Sequence, residues 1–79
     1  YHILDSRAEA LEFVIREESE VTGIPLMNLN LKNNLLIGCI NRGGNIKIAR
    51  GQDCIQQGDT VIVLTSQKGL RDIRDILRK

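Results

Sequence analysis

Two stretches, Leu35–Ile40 and Val61–Leu64, carry no charged or hydrogen-bonding polar side chain at any position, in a chain of only 79 residues. A strand with no wet side is either central in its domain or covered by another chain. A chain this short buries only about 60–65% of the surface its unfolded form exposes. Its core alone rarely nets more than ~3–5 kcal/mol, and small domains add disulfides, a metal or a partner. Cys39 and Cys54 are too few for a disulfide scaffold. A structural zinc site wants four ligands in paired spacings, which two separated cysteines and His2 do not provide. Self-association is the expected remedy. Cys39, inside an apolar run, is expected to pack as a small buried hydrophobe, and the low cysteine count fits a reducing, intracellular setting.

The flanking sequence reads as a single α+β domain. It has a small, mainly antiparallel sheet of about four strands, a short helical turn and a C-terminal helix. Residues 1–8 form a lead-in segment, with a bend at Asp5-Ser6-Arg7, expected to continue from a preceding domain; the domain itself occupies 9–79. From Ala10 to Arg16 the chain alternates, Leu11, Phe13 and Ile15 against Glu12, Val14 and Arg16, which is the period of a half-buried strand. An acidic loop, Glu17-Glu18-Ser19-Glu20, leads to Pro25. That residue pre-sets the backbone for one helical turn over Leu26-Met27-Asn28-Leu29. Arg42-Gly43-Gly44-Asn45 has the glycines of a tight hairpin, with Ile46 and Ile48 on the returning arm and Lys47 and Arg50 facing outward. The turn Gln57-Gly58-Asp59 feeds the strongest strand, Thr60–Thr65. Ser66 is placed to cap a final helix over about 67–78, with Leu70, Ile73, Ile76 and Leu77 as its apolar stripe.

Composition excludes several kinds of function. Acids and bases nearly balance at a net charge of +1 and are interspersed, so no polyanion partner is indicated. No apolar run approaches the ~20 residues of a membrane helix. The only histidine, His2, lies in the lead-in segment, and Glu17, Glu18 and Glu20 share one solvated loop. Acid–base catalysis needs groups held at fixed separation, so the chain is not expected to be an enzyme. Gly43-Gly44 does not open a helix and fits neither nucleotide-binding glycine spacing. An RNA-binding module is a weaker alternative. Its base-stacking platforms would have to come from one tyrosine and one phenylalanine.

Three ordered stretches carry a family resemblance. Glu9-Ala10-Leu11-Glu12-Phe13-Val14 is followed by Val21-Thr22-Gly23-Ile24-Pro25-Leu26 with Leu29 beyond; then comes Leu35–Arg42; last come Ala49-Arg50-Gly51-Gln52-Asp53 and Gln57-Gly58-Asp59-Thr60-Val61-Ile62-Val63. Together they resemble the RCK-C, or TrkA-C, family of regulatory domains that end Trk-type potassium-uptake proteins. The resemblance implies a TrkA C-terminal domain-like fold. It also implies a preceding Rossmann-like half that binds NAD(H) or ATP, and pairing of RCK-C halves as a homodimer. The whole is implied to be cytoplasmic and peripheral on the inner face of the plasma membrane, serving a separate potassium-translocating subunit. Some members also bind cyclic di-AMP at the dimer interface. Carried onto this chain, that pattern falls on Leu26, Met27, Asn30 and Lys32, with Asn30 standing where the family has aspartate. In such a site Lys32 would meet phosphate, and Leu26, Met27 and Ile37 would wall the base. The alternative for these five residues is plain core and rim packing.

Overall fold

The computed structural model describes residues 8–78; His2, the bend at Asp5-Ser6-Arg7 and most of the lead-in segment lie outside them. Four strands form one antiparallel sheet: β1 (Glu9–Val14), β2 (Leu35–Arg42), β3 (Asn45–Ile48) and β4 (Thr60–Thr65). Their order in space is β1-β4-β2-β3. The strongest strand of the sequence, β4, is central, between β1 and β2. β2 and β3 form the expected hairpin, with Gly43 and Gly44 at φ 60° and 89°, a conformation that a Cβ opposes.

A β-bulge in β2 decides which side chains reach the core. Ile37 pairs with Val63, but the next partner of β4 is Cys39, opposite Ile62. Gly38 is the extra residue, and inserting it reverses the in–out alternation beyond it. Ile37 and Ile40 therefore both point inward, and Ile40 is fully enclosed. Cys39 goes to the other face and is half-buried rather than buried. An unbroken apolar run conceals such a switch, because either phase satisfies it.

One face of the sheet packs beneath a cover of irregular chain. Val21, Leu26, Ile55, Ile73 and Ile76 close over Ile40, Val61 and Val63, with Ile15 at the margin. Fully burying an isoleucine or valine contributes about 1.5–3 kcal/mol, so this layer holds the domain together. The cover is stitched by main-chain bonds: Gly23 N–H donates to the Ile55 carbonyl at 2.9 Å and Leu26 N–H to that of Asp53 at 2.8 Å. Pro25 starts a 3₁₀ turn at Leu26–Asn28, with Leu26 buried and Leu29 packed against the core.

The expected C-terminal helix is absent. Described residues beyond β4 run as irregular chain with a single 3₁₀ turn, Ile73–Ile76, so the helical part of the α+β reading reduces to two short turns. Gly69 adopts φ 82°, which an α-helix does not accommodate. The cap is Asp72, not Ser66: its carboxylate accepts the Arg74 N–H while Asp75 accepts that of Asp72. Beyond the turn, the strap pairs with the segment before β2. Lys32 N–H donates to the Ile76 carbonyl at 2.9 Å and Arg78 N–H to that of Asn30 at 2.8 Å. Ile73 and Ile76 are nonetheless buried, as the apolar stripe required. Three-residue spacing serves a 3₁₀ turn as well as a helix.

Candidate functional site

The second face of the sheet has no cover among the described residues. Register places Ala10 and Leu36 on either side of Leu64, Glu12 and Cys39 beside Ile62, and Ile48 and Ile46 beyond Cys39 and Asn41. Leu36 is 51% exposed, Val14 53%, Ile46 70% and Ile48 74%; Ile62 and Leu64 are half-buried. The apolar character of β2 and β4 on both sides is thus real, and their own chain shelters one side. Glu12 is the one charge in these rows. A contiguous apolar patch of this kind marks an interaction site.

The glycine- and aspartate-bearing motifs build the frame behind this face. Asp59, 1% exposed, immediately precedes β4 and is gripped by Arg42 at the end of β2. The Arg42 guanidinium, with the Gln56 N–H, holds the Asp59 carboxyl below its ordinary range against the opposing effect of burial. Asp53 closes its own turn: its carboxylate accepts the Arg50 N–H at 2.7 Å, and its amide donates back to the Arg50 carbonyl at 2.9 Å. Lys47 adds an ion pair to Asp53 at 2.9 Å, and together they lower the Asp53 pKa, Lys47 most. Lys47 is exposed as expected, but it lies on the inward row of β3, tied to this loop. Sequence reasoning missed the Arg42–Asp59 pair, since neither residue type nor spacing announces an ion pair seventeen residues apart.

The five candidate ligand residues divide between core and surface. Leu26 and Ile37 belong to the core. Met27 is 62% exposed and lies over Gly51, where a Cβ would stand 3.3 Å from its own. Asn30 and Lys32 use their backbones to hold the C-terminal strap. A cleft of about 460 Å³ lies elsewhere, between the end of β1 and Arg71–Arg74. Phe13, Ile15 and Ile73 contribute its apolar wall, and no histidine or cysteine lines it. Among the described residues no group of three or more His, Cys, Asp or Glu could hold a metal. No helix among them is long and apolar enough to cross a membrane.

The model of the TrkA-C domain matches residues 10–78. The chain belongs to the TrkA-C domain family. Its relatives include proteins named Trk system potassium uptake protein TrkA homolog from Pyrococcus abyssi and Pyrococcus horikoshii. Each is 34% identical over 73 residues, which cover 91% of this chain and 32% of the relative. The Trk system potassium uptake protein TrkA of Haemophilus influenzae is 34% identical over 64 residues, 77% of this chain and 14% of that protein. The chain spans about a third of the length of the Pyrococcus relatives it matches. In these relatives a TrkA-C domain is therefore one part of a larger protein named for potassium uptake. In this TrkA-C domain the Arg50–Asp53 and Gly58-Asp59 pieces serve to shape the loops that border the sheet.

Proposed function

We propose that this chain is a regulatory domain of a potassium-uptake protein, acting by association rather than catalysis, and that it pairs with a second copy. The relatives named as TrkA proteins support the potassium-transport context. The observation that carries the pairing is the uncovered sheet face, where Leu36, Ile46 and Ile48 stand half or more exposed beside Ile62 and Leu64. Covering such residues is worth roughly 25 cal/mol per Å² of apolar surface, which a second copy realises and water does not. In the whole protein, a preceding Rossmann-like half binds NAD(H) or ATP. The assembly sits on the cytoplasmic side of the membrane against the potassium-translocating subunit, and pairing transmits the state of that half to transport. Control by cyclic di-AMP would have to act through Met27, Asn30 and Lys32, because Leu26 and Ile37 are enclosed; calorimetric titration with cyclic di-AMP decides that part. Sedimentation equilibrium of the 79-residue chain tests the pairing. A dimer at micromolar concentration is expected, and a strict monomer at several hundred micromolar would falsify it.

A further inference from the structure

The two edges of the sheet are unlike. β1 presents Glu9 and Glu12 as exposed charges, Glu9 lying 3.9 Å from Lys68, and the Arg71–Arg74 segment flanks its far end across the cleft. Charges and covering chain are how natural sheets keep an edge from pairing. Among the described residues β3 has no covering chain and, over its four residues, a single charge. All four of its residues are exposed, its side chains on the outer face are Ile46 and Ile48, and its one charge, Lys47, is drawn onto Asp53. It contains no proline and no bulge.

The hydrogen bonding of β3 leaves a specific pattern on that edge. Ala49 N–H donates to the Gly38 carbonyl at 3.0 Å, so Asn45, Lys47 and Ala49 turn their backbone groups toward β2. Antiparallel alternation then directs the N–H and C=O of Ile46 and Ile48 away from the sheet. The same two residues bear the most exposed large apolar side chains of the described chain. An edge offering two donors, two acceptors and an apolar row is complementary to itself.

We infer that β3 is where the second copy engages, which deepens the pairing reading and rests on it. The two β3 strands run antiparallel about a two-fold axis at Lys47. Ile46 exchanges hydrogen bonds with the partner's Ile48, and Ile48 with the partner's Ile46, so that the two four-stranded sheets become one. Lys47 faces the partner's Lys47, each neutralised by its own Asp53. Moving the register by two residues sets Ile48 opposite Gly44, or Ile46 opposite Arg50, and leaves one isoleucine pair in place of two.

Two variants of the 79-residue chain test this. In a Cys39→Ser, Cys54→Ser background, Lys47→Cys occupies a non-hydrogen-bonded antiparallel pair, about 4.5 Å between Cα atoms, which suits a disulfide. Oxidised glutathione is expected to convert it rapidly to a cross-linked dimer, while exposed Gln57→Cys stays largely monomeric. Ile46→Pro removes an N–H that the domain itself does not use, at an edge that tolerates proline. It is expected to weaken dimerisation about 30-fold or more while leaving the strand signal in circular dichroism. Cross-linking at 47 no faster than at 57, or a dimer indifferent to a folded Ile46→Pro, overturns edge pairing and leaves pairing through the sheet face standing. A monomeric parent chain overturns both.

Discussion

Arg42 and Asp59 meet in a two-pronged ion pair, Nε to Oδ1 and Nη2 to Oδ2, each 2.9 Å. The same Nη2 donates to the Cys54 carbonyl at 2.8 Å, and Asp59 also accepts the Gln56 N–H at 2.9 Å. One guanidinium thus ties the turn end of the β2–β3 hairpin to the long loop that returns into β4. The planar fork of arginine matches a carboxylate in this way, and a lysine ammonium does not.

Removing Arg42 leaves an almost fully enclosed carboxylate with a single remaining partner. Arg42→Ala is expected to cost about 2–3 kcal/mol, the worth of hydrogen bonds to a charged group. Arg42→Lys should recover only part of it. The shift of the urea unfolding midpoint at constant slope measures both.

The acid limb of the stability curve follows from the same group. The carboxyls of Asp59, Asp53, Asp72 and Asp75 all titrate below their ordinary value in the folded chain. Between the folded and unfolded values the unfolded chain binds more protons, so stability rises with pH there. It is fully present above the unfolded carboxylate value, ~4, and is lost as pH falls through the depressed folded values. Thermal melts from neutral pH downward should be flat at first and then fall. In Asp59→Asn the fall should be shallower from a lower plateau; an acid limb unchanged by that substitution contradicts the assignment.

The hairpin turn depends on backbone freedom and not on space. A Cβ at Gly43 or Gly44 meets nothing within 4 Å, yet both residues have positive φ. Gly43→Ala and Gly44→Ala should each destabilise by about 1 kcal/mol. Gly43→Asn should cost less, because asparagine tolerates the left-handed region. Chemical denaturation of the three variants sets the order.

The two faces of the sheet should respond oppositely to substitution. Ile48→Glu changes an exposed residue of the outer face beside the partner strand and is expected to abolish self-association with little loss of monomer stability, read by sedimentation and by melting at low concentration. Ile40→Ala empties a fully enclosed site and should cost about 2–5 kcal/mol. Equal stability loss for both would mean that the outer face is not an interface.

The C-terminal strap is held by its two isoleucines and its bonds to Asn30 and Lys32. Ile76→Ala is expected to cost about 2–4 kcal/mol and to raise hydrogen exchange at the Lys32 and Arg78 amides together. Exchange confined to Arg78 would show that the strap frays alone.

Local chemistry made much of this architecture legible. Alternation at Leu11, Phe13 and Ile15, the Gly43-Gly44 pair, Pro25 before its turn, and the run Thr60–Thr65 each state a backbone preference that no distant residue overrules. The ordered motifs likewise pointed to the TrkA-C family. Two of the candidate ligand residues, Leu26 and Ile37, were less legible. Spacing alone cannot tell Leu26 and Ile37 as walls of a pocket from the same residues as core, and the chain folds them into the core.

Long-range pairing decided the remainder. The stripe Leu70, Ile73, Ile76 and Leu77 suits a helix in isolation. Gly69 and the backbone groups of Asn30 and Lys32 make an irregular strap the better bonded choice. Gly38 was a neutral glycine until β2 lay beside β4, where it became the bulge that turns Ile40 inward and Cys39 outward. The amino-acid order determined which segments are apolar and where the chain bends. Only the assembled sheet settled which side of each strand is sheltered, because burial belongs to the pair of surfaces that meet and not to either alone.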